Sequence, residues 1–248
     1  TETMKIATMA TGGIGGYLAV RLGNSGHQVA TIARGAHLEA IRQNGLVLET
    51  SGGSQSARPW IATSDPKDVG EVDAIIFGVK GDGLEPAARA CRPMVGANTI
   101  VIPFLNGVEA SDRLTDILPA GNVGNGVAHI STTITAPGII RQTGEFNRFI
   151  FAERDSRPSA RIDALRTAID EAGASAPATD DIDRDLWSKF VLFSAMSGVT
   201  AEARCTIADI KSNDHLSALF KAILAETTSL GRARGVALPD TIEADTWS

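Results

Sequence analysis

The stretch Ala10-Thr11-Gly12-Gly13-Ile14-Gly15-Gly16 has residue types and spacing that could do chemistry. It is a variant of G-x-G-x-x-G with alanine in the first glycine position. In that pattern Gly12 lets the backbone approach a pyrophosphate, and Gly15 lets a helix lie close on the preceding strand. Gly13, Ile14 and Gly15 complete the candidate cofactor contacts, and the N-terminus of the helix that follows supplies N–H groups and a positive dipole end for phosphates. Alanine at position 10 is compatible only if the turn needs no positive φ there. Glycine clusters also make ordinary turns, and it is the order strand, turn, helix, strand around this one that gives it meaning. The second strand ends at Ile32-Ala33-Arg34, the offset at which an acidic residue would bind an NAD ribose. Arginine there suits a 2′-phosphate and points to NADP(H); a solvated surface arginine is the alternative.

Three further residues are placed for chemistry. Lys80 and Asn106 each follow a segment that reads as a buried parallel strand, and open α/β sheets bind ligands outside the carboxyl ends of such strands. A loop lysine and an Asn-Gly turn pair would look the same. Lys189 sits among Leu186, Phe190, Val191 and Phe193, where apolar neighbours could lower its pKa and make it a proton donor. A snorkelling surface lysine shares that neighbourhood. The histidines His27, His37, His129 and His215 have neither metal-ligand nor triad spacing; His27 reads as turn structure and His129 as structural. Cys91 and Cys205 lack CxxC spacing, so neither a zinc site nor a disulfide framework is expected.

These residues need a scaffold, and the pattern supplies one. Strands are expected at Lys5–Met9, Gln28–Ala33, Leu46–Glu49, Arg58–Thr63, Val72–Val79 and Thr99–Leu105, with a polar turn at Ser51–Ser56. Helices are expected at Tyr17–Asn24, Ala36–Gln43, Leu84–Cys91 and Glu109–Leu118. The alternation describes an α/β fold, an N-terminal Rossmann-type doubly wound sheet. From Asn122 to Glu153 β-branched runs punctuated by Pro137-Gly138 and Gly144 suggest antiparallel strands finishing that sheet. The helix Arg161–Glu171 and a last strand at Ala172–Thr179 would close the domain. From Asp180 helical patterns dominate, notably Leu186–Ala201 and Leu216–Arg234. The expected division is residues 1–179 for the nucleotide domain and 180–248 for an all-helical catalytic domain. Of the 248 residues 43% are hydrophobic, and the net charge of −6 with no basic run argues against nucleic-acid binding. The apolar runs are too short to span a bilayer. With no leader pattern either, a cytoplasmic protein is expected.

Several segments in a fixed order carry a resemblance. They are Met4-Lys5-Ile6 with the Gly12–Gly16 turn, Gly26-His27-Gln28-Val29, Ala33-Arg34-Gly35-Ala36-His37, and Ala40-Ile41-Arg42-Gln43-Asn44-Gly45-Leu46. Val79-Lys80, Leu105-Asn106-Gly107-Val108-Glu109, Ala136-Pro137-Gly138 and Trp187-Ser188-Lys189 follow. From Met4 to roughly Gly235 the chain resembles the ketopantoate reductases, the 2-dehydropantoate 2-reductases of pantothenate biosynthesis. The resemblance implies an NADP-binding domain followed by a helical one, with Arg34 on the 2′-phosphate. It implies Lys80 beside the cofactor and substrate carboxylate, Asn106 on the nicotinamide ribose and substrate, and Lys189 as the catalytic lysine. It also implies substrate-binding asparagines four and eight residues after that lysine; here those positions hold Phe193 and Ser197. Ser197 is kept as a substrate-binding candidate, while Phe193 cannot make an asparagine's hydrogen bonds. The family's late substrate-binding serine and acidic residue have no match before Ser248. The expected activity is hydride transfer from NADPH to a small 2-oxo acid or related ketone, without a metal. A dehydrogenase of imines or other hydroxy acids and a non-catalytic NADP(H) sensor are the alternatives, and a homodimer is the partner state left open.

Overall fold

The computed structural model describes residues 2–247. They divide into two compact units: the chain up to Leu105 with Glu109–Ile182, and Asn106–Val108 with the chain from Asp183 onward.

The first unit is built on a parallel sheet. Its strands are β1 (Lys5–Met9), β2 (Gln28–Ile32), β5 (Ile61–Thr63), β6 (Val72–Phe77) and β7 (Val95–Pro103), in the order β5-β2-β1-β6-β7. Parallel neighbours require crossovers. Helix α1 (Gly13–Asn24) connects β1 to β2, α2 (Gly35–Asn44) leaves β2, and α3 (Leu84–Cys91) lies between β6 and β7. The order reverses at β1, which is flanked by β2 and β6 with Met9 level with both Ile32 and Phe77. Such a reversal opens a crevice at the strands' carboxyl ends. The runs Ile75–Phe77 and Ile100–Ile102 are wholly buried, as strands covered on both faces must be. Ile6, Leu18, Ile76, Ile102 and Phe149 fill one face, and Met9, Ile75, Phe77, Leu84 and Leu114, the last from α4 (Ala110–Thr115), fill the other.

A second sheet departs from expectation. Strands β3 (Leu46–Thr50), β4 (Gly53–Ala57), β8 (Gly124–Ala136) and β9 (Ile139–Glu153) form it in the order β4-β3-β9-β8. The β8–β9 hairpin therefore does not finish the parallel sheet. It pairs through β9 with β3 at Val47, Leu48 and Glu49; β8 packs on β7, with Gly124 and Gly126 against Ile102, and the bridge Val101–Val123 joins β7 to the residue just before β8. The stretch expected as a turn, Ser51–Ser56, largely becomes β4, an edge strand with hardly a buried side chain. Register with β3 holds it, and apolar alternation could not reveal it. Segment Ala172–Thr179 is not a strand; it contributes one bridge, Arg148–Ser175. Helix α5 (Ala160–Glu171) packs Ile162, Leu165 and Ile169 into the first core. Helix α1 begins at Gly13, four residues before the expected Tyr17, because glycines fit where their neighbours leave no room for a Cβ.

The second unit is helical: α6 (Ile182–Ala203, its first residue belonging to the first unit), α7 (Ile207–Ser212), α8 (Asp214–Ala233) and α9 (Ile242–Trp247). Trp187, Val191, Ala195 and Val199 recur at helical spacing on α6 and pack with Phe220, Leu224 and Leu238. Thr206 and Asp209 form a capping box at the start of α7. Among the described residues no helix is long and apolar enough to cross a membrane.

Candidate active site

The glycine turn sits where β1 ends. Among its glycines the reasons for having no side chain differ. A Cβ on Gly15 would stand 2.5 Å from the Ala10 carbonyl oxygen and 3.3 Å from Thr8 Cβ, and one on Gly13 would stand 2.6 Å from Thr132 Oγ1. Both positions are closed by the protein itself. A Cβ on Gly12 would meet nothing nearer than the Gly78 oxygen at 4.0 Å. Gly12 therefore keeps open a space that no protein atom fills, beside the start of α1, where no side chain caps the helix. The first-turn N–H groups are left to a ligand with acceptor oxygens. Ala10 causes no conflict, since Ser156 and Arg204 are the non-glycine residues with positive φ among those described.

A cavity of about 490 Å³ opens at this point, lined by Ala10, Thr11 and Gly12, by Ala33 and Arg34, and by Val79 and Gly83. Arg34 is exposed and stands at the N-cap of α2, at the same cavity as the turn. Lys80 is exposed and precedes the short helical turn Gly81–Gly83; its neighbours Val79 and Gly83, rather than Lys80 itself, line the cavity.

Two groups that hold the turn were not marked by sequence. Thr11 is buried, its hydroxyl 2.8 Å from that of Thr8, and its N–H bonds to the Ile32 carbonyl at 2.8 Å. His37, on the first turn of α2, spans the turn and the β8–β9 hairpin. Its Nδ1 accepts the Gly138 N–H at 2.9 Å, which leaves the ring proton on Nε2, 2.9 Å from the Thr11 carbonyl, to donate there. The signal available was a histidine three residues after Arg34, readable only once the turn and hairpin are folded around it. His27 is buried, with Nδ1 accepting the Met4 N–H at 3.2 Å.

In the helical unit the candidates come together on α6. Lys189 Nζ donates to Asn106 Oδ1 at 3.0 Å and stands 4.7 Å from the ring centre of Phe193. Burial pushes the Lys189 pKa down from 10.5 to about 8, because an ammonium removed from water loses hydration. Trp187, two residues before Lys189, is buried with Phe220, Leu224 and Leu238 and packs edge-on against Phe190 with centroids 5.3 Å apart. Ser197 lies two turns on, and its hydroxyl donates to the Phe193 carbonyl at 2.6 Å. Lys189 and Asn106 are thus paired. The Ser197 proton is engaged within its own helix, leaving only lone pairs for a ligand. Among the described residues no three His, Cys, Asp or Glu side chains are grouped to hold a metal ion.

The chain is similar in sequence and fold to known proteins. Residues 6–156 match the family described as ketopantoate reductase PanE/ApbA, and residues 181–247 match its C-terminal part. A 2-dehydropantoate 2-reductase of Mesorhizobium japonicum is 31% identical over 95% of this chain and 78% of its own length. The crystal structure of 2-dehydropantoate 2-reductase from Porphyromonas gingivalis superposes with a TM-score of 0.92 at 32% identity, covering 99% of this chain and 87% of that one. A D-mandelate dehydrogenase solved with NADH and anilino(oxo)acetate shares the fold, with a TM-score of 0.88 at 21% identity over 98% of this chain and 79% of that one. With both family regions matched and relatives above 30% identity covered over most of their length, the chain belongs to the ketopantoate reductase family, oxidoreductases that work with a nicotinamide cofactor.

Proposed function

We propose that the protein is an NADP(H)-dependent reductase of small 2-oxo acids or related ketones. The pairing of Lys189 with Asn106, with the amine held near 8 by burial, is the observation that carries this reading. A proton donor works best when its pKa lies near the operating pH, where it is charged yet gives up its proton readily. The cofactor assignment is supported by Gly12, whose missing side chain leaves room for a pyrophosphate, and by Arg34 at the same cavity.

When bound, the reduced nicotinamide supplies the hydride that adds to the carbonyl carbon. The C=O electron pair withdraws to oxygen, and that oxygen takes a proton from Lys189 Nζ, giving the hydroxy acid and a neutral amine. Water returns the proton to the amine. Asn106 holds the ammonium through Oδ1 and offers its Nδ2 group as a donor to a substrate oxygen. Lys80 supplies positive charge for a carboxylate, and Arg34 binds the 2′-phosphate with charge-assisted hydrogen bonds.

The test is NADPH oxidation with a panel of 2-oxo acids, in wild type and Lys189→Ala. Turnover in wild type and its loss by a factor of about 10²–10⁴ in the variant is the expected result. Tight NADPH binding with no turnover of any carbonyl compound would overturn the reductase reading in favour of a cofactor sensor.

A further inference from the structure

In the proposed reaction the substrate oxygen lies within about 3 Å of Lys189 Nζ. The Phe193 ring centre is 4.7 Å from that same nitrogen, one turn further along α6. A group attached to the reacting carbonyl on that side would lie against this ring. The ring is half-buried, so part of it is left for another apolar surface. One more turn along, the Ser197 hydroxyl donates back to the Phe193 carbonyl at 2.6 Å, and its proton does not reach outward to a ligand. This face of α6 thus runs from ammonium to hydrocarbon.

We propose that Phe193 determines specificity, and that the substrate is a 2-oxo acid whose chain beyond the carbonyl is hydrocarbon, branched or aryl, without a hydroxyl. The inference rests on the reading of Lys189 as proton donor. A hydroxyl laid against Phe193 exchanges its water for a ring that cannot accept it as an amide would, whereas a methyl or phenyl group gains contact. Apolar pockets discriminate against an added hydroxyl by on the order of 100-fold. The chemical step is unchanged: hydride to the carbonyl carbon, proton from Lys189 to the oxygen.

The experiment compares kcat/KM for ketoisovalerate, phenylglyoxylate and the hydroxylated ketopantoate, with NADPH and the full chain. Wild type is expected to favour the better of the first two over ketopantoate by about 10–100-fold. Phe193→Asn, which restores an amide at this position, is expected to shrink that ratio at least tenfold while leaving the KM for NADPH in place. Phe193→Leu, which keeps the surface apolar without the ring, retains the preference and controls for a folding defect in the asparagine variant. Equal or greater efficiency with ketopantoate in wild type, or a ratio indifferent to Phe193→Asn, overturns the inference while leaving the reductase reading intact. Absence of turnover with all three removes the reductase reading and this inference with it.

Discussion

Lys189 and Asn106 lie 83 positions apart and meet at 3.0 Å, amine nitrogen to amide oxygen. The pair sets the direction of a pH prediction. The proposed reduction needs the protonated amine, and burial places the Lys189 pKa at about 8, so kcat/KM is expected to be level below that pH. Above it, activity falls about tenfold per pH unit. The Asn106 oxygen favours the charged form by accepting from it. Asn106→Leu therefore moves the break to lower pH, and Asn106→Asp, which brings a negative charge, moves it higher. Rate profiles between pH 6 and 10 check both; a break that stays fixed in both variants means that the titrating group is not Lys189.

The glycine turn and the placing of Arg34 beside it were readable in the sequence because their geometry is local. Gly12, Gly15 and Arg34 are separated by one helix and one strand, and every requirement on them is a requirement on neighbouring backbone. Lys189 was recognisable as a residue type in an apolar setting, but its partner was not, since nothing near Lys189 in sequence names Asn106. The same division runs through the fold. Strands β6 and β7 announce themselves by apolar runs, whereas β5 has only the three residues Ile61–Thr63. Strand β4 is polar along its length and exists because β3 offers it a register. The β8–β9 hairpin was legible as antiparallel, whereas its sheet was decided by pairing with β3, a contact between distant segments. The role of His37 was hidden for that reason too: its two partners, Thr11 and Gly138, come from the turn after β1 and from the turn between β8 and β9.

Arg34 carries a prediction about cofactor choice. It stands exposed at the N-cap of α2 and lines the cavity of the glycine turn. A hydrogen bond to a charged group is worth about 1.5–3 kcal/mol, or roughly 10–150-fold in affinity. Arg34→Glu replaces that attraction by repulsion, so the KM for NADPH is expected to rise at least tenfold while that for NADH changes little. The ratio of the two KM values is the measurement. If the preference is the same in both proteins, Arg34 does not bind a 2′-phosphate.

His37 should act on cofactor binding through the turn it holds. His37→Ala leaves the Thr11 carbonyl and the Gly138 N–H without their partner, at a cost of about 1–3 kcal/mol for each group left buried and unpaired. The two amide variants separate the bonds, because glutamine places its N–H₂ near the position of Nε2 and asparagine places its oxygen near that of Nδ1. If the Thr11 bond fixes the turn, His37→Gln retains NADPH affinity and His37→Asn loses it several-fold, with kcat for the carbonyl step unaltered in both. Dissociation constants measured well below each variant's melting temperature distinguish this from general destabilisation. Equal affinity in all four proteins would reduce His37 to a structural residue.

Gly12 and Gly15 should fail in opposite ways when given a side chain. Gly12 has φ −88° and ψ −150°, an extended conformation open to alanine, and its added Cβ would come no closer than 4.0 Å to the Gly78 oxygen. Gly12→Ala is expected to fold with a melting temperature near that of wild type. The new methyl group nevertheless takes space at the cavity, so NADPH affinity should fall at least tenfold. Gly15→Ala sets a methyl carbon 2.5 Å from the Ala10 carbonyl oxygen and 3.3 Å from Thr8 Cβ. Neither neighbour can swing aside as the end of a flexible side chain could, and the helix must back away from the strand at a cost of about 1–3 kcal/mol. Its loss should appear first in thermal or denaturant unfolding of the protein without cofactor. A Gly12→Ala protein that binds NADPH as tightly as wild type would remove the pyrophosphate from this turn, because a passive loop is the one arrangement in which that methyl group meets nothing.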